Sequence, residues 1–213
     1  MLKVIQGTRA SLFPKEMDAM FRNRAATFSD RLGWNVTVTR GHERDEFDDV
    51  NPIYLVSVDP YTNKYWGSMR LLPTTGPNML RDVFPFLLEE GEVVESATIW
   101  EGSRICAVAT EGQPERTRNG VNLAVGELLA GGGEIAIAAG LTQLVCVCDV
   151  RMYRVFRAAG CNPQIIGKPR RIDRTMSFAV LFDVGEGPLR GIQNACGIGG
   201  SVLQPEVREL VAA

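Results

Sequence analysis

Histidine is nearly absent from this chain of 213 residues: the one that occurs, His42, sits in a polar stretch. A Ser-His-Asp or Cys-His mechanism is therefore not expected, and His42 reads as a surface residue. Apolar runs are short as well. The nearest approach to one, Ile135 to Leu141, is far below the length that spans a bilayer, so no membrane insertion is expected. The first residues, Met1-Leu2-Lys3-Val4-Ile5, have neither the apolar run nor the small-residue cleavage site of a secretory signal. An excess of one charge is missing too: Lys and Arg number 23 against 25 Asp and Glu. A net charge of -2 gives no global attraction to nucleic acid or to an anionic membrane, so any basic docking surface has to be local. Five cysteines (Cys106, Cys146, Cys148, Cys161 and Cys196) form an odd set without a regular framework, which favours a reducing compartment and a cytoplasmic protein. Cys146-Val-Cys148 has no histidine partners and makes a poor zinc site, so no metal is expected.

The composition that remains is that of a globular protein, 45% hydrophobic and 23% charged, at a length that suits one domain over 1–213. Residues 2–6 read as a first strand. From Phe13 to Phe28, Met17, Met20, Phe21, Ala25 and Phe28 recur at helical spacing, so a helix is expected to end before Gly33. Residues 35–50 are polar and acidic and read as a surface segment able to move. Ile53–Val58 and Tyr65–Leu72 form a hairpin about a turn at Asp59–Lys64. Thr98–Val108 is the next strand. Asn119–Ala139 reads as helical, with Gly131-Gly132-Gly133 expected to break or kink it. Leu144–Cys148 is a buried strand, Val150–Ala159 a helix stopped by Gly160, and Ile165-Ile166 and Met176–Val184 supply the last strands. Beyond Gly185 the chain is loosely specified, with a helix over 204–212. One mixed sheet flanked by helices is the economical arrangement.

Polar and aromatic residues concentrate in the first half, in five pieces. They are Arg24-Ala-Ala-Thr-Phe28, Arg31-Leu-Gly-Trp34, Asp45-Glu-Phe-Asp48, Met79-Leu-Arg-Asp-Val-Phe84-Pro and Ile99-Trp-Glu101-Gly-Ser103-Arg104, with Arg70 between the third and the fourth. A charge inside an otherwise buried strand is costly unless it is paired, so Glu101 should meet an arginine or a substrate amine. Two readings stay open for it: an ion pair with Arg24 or Arg70 that ties helix to sheet, or a proton acceptor. Strand alternation puts Glu101 and Ser103 on one face and Arg104 on the other unless a bulge re-aims it.

In order, these pieces resemble the acyl-homoserine-lactone synthase family of quorum-sensing autoinducer synthases. The resemblance covers about residues 1–184 and fades over 185–213. It implies a single-domain α/β/α sandwich with a mixed central sheet, similar to the GCN5-like N-acetyltransferase fold. It also implies two substrates, S-adenosylmethionine and an acyl thioester, the latter on acyl carrier protein in preference to coenzyme A. The product is then an acylated homoserine lactone, released with methylthioadenosine. S-adenosylmethionine is a substrate, so no cofactor is expected, and a monomer is expected. A sulfonium is matched by carboxylates or aromatic faces, an adenine by a flat ring and a carboxylate by a guanidinium. On that basis Arg24, Phe28, Trp34, Asp45, Asp48, Arg70 and Phe84 are the candidates for S-adenosylmethionine, with Glu101, Ser103 and Arg104 for the chemistry. The implied acyl pocket contains Ile105, Cys146, Cys148, Met152 and Phe156. Family members that make 3-oxo products tend to have threonine where Cys146 and Cys148 stand, which points here to a different 3-position. Arg151, Arg154 and Arg157 fall three apart on one helix face, and Lys168, Arg170, Arg171 and Arg174 follow. Together they are the expected dock for an acidic carrier protein. Rival readings are a GCN5-like N-acyltransferase, whose usual pyrophosphate loop has no match before Asn119, and a ligand-binding relative without turnover. A methyltransferase lacks support, because no glycine-rich loop follows the first strand.

Overall fold

The computed structural model describes residues 1–108, 116–172 and 175–205, so Arg174 and most of the helix expected over 204–212 lie outside the described residues. The strands are β1 (Leu2–Gln6), β2 (Val38–Thr39), β3 (His42–Glu43), β4 (Ile53–Val58), β5 (Tyr65–Pro73), β6 (Ile99–Ala107), β7 (Gln143–Asp149), β8 (Gln164–Ile172) and β9 (Thr175–Asp183). Seven of them form one sheet in the order β1-β4-β5-β6-β7-β9-β8, and β2 with β3 makes a separate ribbon. The expected mixed sheet is present: β6 and β7 run parallel, and the other neighbours in the sheet run antiparallel. The parallel pair is short, joining only Ile99–Glu101 to Gln143–Val145. Both strands continue past their last pairing, and a gap opens between them.

Five helices cover the sheet: α1 (Pro14–Arg24), α2 (Met79–Asp82), α3 (Leu123–Ala138), α4 (Val150–Ala158) and α5 (Glu186–Cys196). The side chains of β4 alternate, as a strand with two covered faces requires. Tyr54, Val56 and Val58 pack against Met17, Met20 and Phe21 of α1. Leu55 instead joins Leu128 of α3 with Leu189 and Ile192 of α5. Thus α1 and α2 lie on one face and α3, α4 and α5 on the other, which is the three-layer sandwich. No helix among the described residues is long and apolar enough to cross a membrane.

Four sequence expectations are corrected. The first helix begins at Pro14, where proline's fixed φ suits the first turn. It then passes into a π-helical stretch over Ala25–Arg31, which the spacing of apolar residues did not show. The 35–50 segment is not a simple surface strip, because it buries Glu43, Phe47 and Asp48 and carries a 3-10 turn capped by Asp45. α3 runs unbroken through its glycine triplet. A Cβ on Gly131 would sit 2.0 Å from Leu2 Cδ1 and one on Gly132 2.8 Å from Met69 Cε, so the absent side chains let the helix lie close to the sheet. Finally, the described part of the chain after Gly185, residues 186–205, is well specified. Leu189, Ile192 and Cys196 form the buried stripe of α5, Gly197 ends it in a left-handed cap, and Leu203 bridges to Leu2 of β1.

Candidate active site

Three arginines and three carboxylates interlock on the α1 face of the sheet. Arg24, in the last turn of α1, is 1% exposed; its Nε donates to Glu43 Oε2 at 2.5 Å. Its Nη1 and Nη2 reach Asp48 at 2.8 and 3.0 Å. Arg70, on β5, donates to both oxygens of Asp45 at 2.5 and 3.1 Å, to Asp48 at 3.0 Å, and through Nε to Ser103 Oγ at 3.1 Å. Arg104 closes the ring with Nη2 at 2.9 Å from both Glu43 and Asp45. Tyr54 adds an O–H bond to Asp48 at 2.8 Å. Burial alone would raise the Asp48 carboxyl. Hydrogen bonds from Arg24 and the charges of Arg24 and Arg70 outweigh it and hold the group well below the usual carboxylate range. Arg24 shows the converse: burial opposes its charge, and Asp48 and Glu43 raise it further above its ordinary value.

Strand alternation would have sent Arg104 to the other face, but its backbone is left-handed, with φ 53°. The register of β6 against β5 shifts at the same place, between the Ser68 and Arg70 pairings, so a bulge re-aims the side chain into the cluster. There its guanidinium also lies over the Phe28 ring, 5.1 Å from the centroid. Glu101 makes neither of the ion pairs expected of it. Its carboxylate accepts the Met79 N–H at 2.9 Å and the Leu80 N–H at 2.7 Å, in the first turn of α2. Burial raises this carboxyl above the glutamate range, with the two backbone N–H groups acting in the opposite direction.

A cavity of about 560 Å³ opens through the gap between β6 and β7 and crosses the sheet. On the α1 side its wall includes Phe28, Trp34, Phe84, Glu101, Ser103 and Arg104, with Phe28 and Trp34 stacked at 5.2 Å and 27°. On the far side it is lined by Ile105, Cys146, Cys148, Met152 and Phe156, which the sequence reading had grouped together. Arg24, Arg70, Asp45 and Asp48 do not line this cavity; they stand behind the wall and brace it. Of the three candidate guanidinium groups only that of Arg104 is on the wall. Of the basic set, Arg151 lines the cavity rim, and Arg154 and Arg157 are exposed on α4. Lys168 pairs with Glu89 at 2.5 Å, and Arg170 and Arg171 are exposed on the edge strand β8. His42 is paired with Asp18 at 2.8 Å, away from the cavity. Among the described residues no group of His, Cys, Asp and Glu is arranged to hold a metal.

Sequence reasoning missed Glu43, which is 0% exposed and joins Arg24 to Arg104. The available signal was its place two residues before Asp45 in an extended stretch, which puts both carboxylates on one side. It also missed Leu189 and Ile192 on the cavity wall, because they lie in the loosely patterned tail.

A mixed sheet whose parallel pair parts around a cavity, with helices on both faces, is a GCN5-like architecture. An acyl-coenzyme A N-acyltransferase from Pseudomonas aeruginosa has this fold, with a TM-score of 0.55 and 13% identity over 85% of this chain and 97% of that one. Nearer in fold is a coenzyme A-dependent acyl-homoserine lactone synthase, BjaI, solved with S-adenosylmethionine and isopentyl-coenzyme A. Its TM-score is 0.82 at 24% identity, covering 96% of this chain and 92% of that one. The autoinducer synthase family profile matches residues 10–191. The acyl-homoserine-lactone synthase of Rhizobium etli is 37% identical over 171 residues, which is 80% of this chain and 78% of the relative. This chain belongs to the autoinducer synthase family and is an acyltransferase of the acyl-homoserine-lactone synthase kind.

Proposed function

We propose that the cavity holds S-adenosylmethionine against Phe28, Trp34, Phe84 and Arg104, and the acyl chain of a thioester against Cys146, Cys148, Met152 and Phe156. The reacting atoms then meet in the gap between β6 and β7. The observation that carries this reading is one continuous cavity with its charged wall on one face of the sheet and its apolar wall on the other. The α-amine attacks the thioester carbonyl: a C–N bond forms, the C–S bond breaks and the carrier thiol leaves. An α-amine has an ordinary pKa of about 7.7–8.0, so little driving force is needed to take its proton. Glu101, buried on the wall with a raised carboxyl, accepts that proton directly or through one water. Backbone N–H groups near Ser103–Cys106 then receive the oxyanion. The carboxylate of the acylated molecule then attacks its own γ-carbon, and the sulfonium leaves as neutral methylthioadenosine. That step is intramolecular, so holding the chain bent between Arg104 and the aromatic pair accounts for most of the catalysis.

The donor we favour is acyl carrier protein, because Arg151, Arg154 and Arg157 carry positive charge along α4 to the cavity rim. Thiols at Cys146 and Cys148 are weak hydrogen-bonding groups, which suits a chain unsubstituted at its 3-position. Both substrates belong to the cytoplasm. The test is product analysis by mass spectrometry with purified protein. Methylthioadenosine and an acylated lactone should appear together, and only when S-adenosylmethionine and an acyl thioester are both present. Methylthioadenosine released from S-adenosylmethionine alone, or an acylated product that never closes, overturns the reading.

A further inference from the structure

The apolar half of the cavity runs along a strand. Leu144, Cys146 and Cys148 share one face of β7, and all three line it, so it follows the strand for four residue steps. At about 3.3 Å per residue that is about 13 Å. A saturated chain advances about 1.2 Å per bond, the zigzag that gives an extended backbone about 3.3–3.6 Å per three bonds, so this length takes about ten carbons. Beyond Leu144 the apolar wall includes Leu189 and Ile192 of α5 and Gly132 and Gly133 of α3.

The glycines of α3 have different reasons to be there. Gly131 is required by the approach of Leu2, but a Cβ on Gly133 would make only an ordinary 3.5 Å contact with Leu189 Cδ1. Its backbone is helical, and alanine is the better helix former, so neither packing nor conformation calls for glycine at 133. What a methyl there would do is take up room in the cavity beside Leu189. At Gly132 a Cβ would lie 2.8 Å from Met69 Cε, and Met69 is itself on the cavity wall, so a side chain at 132 pushes the methionine inward.

We infer that this enzyme takes a long saturated acyl chain, and that Gly132 and Gly133 set its length. The inference rests on the proposed reading of the cavity as the acyl site. The experiment is kcat/KM for saturated thioester donors of about four, eight, ten and twelve carbons with the native protein, Gly133→Ala and Gly132→Ala, and the melting temperature of each. Native kcat/KM should rise about fourfold per added methylene up to about ten carbons. Gly133→Ala should melt higher, yet lower the ratio of the ten-carbon to the four-carbon donor by about tenfold, with Gly132→Ala moving the ratio in the same direction. A native optimum at the shortest donor, or an unchanged ratio in a Gly133→Ala protein that melts higher, overturns the inference. Failure of every donor to yield lactone overturns instead the proposed function on which it rests.

Discussion

Asp48 has no exposed side-chain surface and is held by Arg24, Arg70 and Tyr54 at once. Asp48→Asn leaves two buried guanidinium groups short of a charge, an expected loss of about 3–5 kcal/mol at neutral pH in urea unfolding. The native carboxyl lies below its ordinary value of 3.8, so its contribution is complete above that value and is lost as pH falls from there. The stability gap between the native protein and the variant should therefore narrow below about pH 4. Glu101 has the opposite sign. Burial raises its carboxyl above the ordinary 4.5, so its contribution is most favourable below that pH and is lost as pH rises through the raised folded value. Removing the charge should then cost little stability near neutral pH, while Glu101→Gln lowers kcat by about a hundredfold or more. A variant that turns over within a few-fold of native but melts lower would show that Glu101 only anchors α2. None of these partnerships was readable from residue types. Arg24, Asp45, Asp48 and Arg70 stood out as a set, but which charge meets which depends on a bulge and a ribbon that bring 43, 45, 48, 70 and 104 together.

The elements were legible where a single pattern dominated. β4 is a string of β-branched and apolar residues, β5 is largely aromatic and apolar, and α4 has a sharp apolar stripe ended by Gly160. Where local propensity and packing disagree, packing decided. α3 contains three consecutive glycines and stays helical, because its neighbours Leu2 and Met69 fill the space that side chains would have taken. Gly131→Ala should accordingly destabilise: overpacking costs about 1–3 kcal/mol, against a helix gain of about 1 kcal/mol. In a chain of this size each net kcal/mol moves the melting temperature by about 2–4 °C, so calorimetry will resolve it. The sign is opposite to that expected at Gly133, two residues away on the same helix.

At the scale of the molecule, the near-neutral total charge conceals an uneven distribution. Arg154 and Arg157 are exposed on α4, Arg151 reaches the cavity rim, and Arg170 and Arg171 are exposed on β8. If an acidic carrier protein delivers the acyl group, Arg154→Glu should lower kcat/KM for that donor by about tenfold and flatten its dependence on salt, with kcat less affected. Steady-state rates at two ionic strengths decide it; equal rates for native and variant at both would remove this surface from delivery.

The order of five short motifs determined the family, the substrates to test and the mixed α/β architecture, because residue identity and spacing are properties of the chain. The set Ile105, Cys146, Cys148, Met152 and Phe156 came from the resemblance to the family; alternation from Glu101 and Ser103 would have put Ile105 on their face, and the bulge at Arg104 turns it to the side of Cys146. Only the tertiary structure decided what lies between them. The short parallel pairing of β6 and β7 opens the sheet. The left-handed Arg104 turns a guanidinium to the charged side, while α5 and the glycines of α3 supply part of the apolar wall. Each depends on contacts between residues far apart in the chain, where no local pattern records the partner. The void they enclose is a property of the assembled walls and of no single residue.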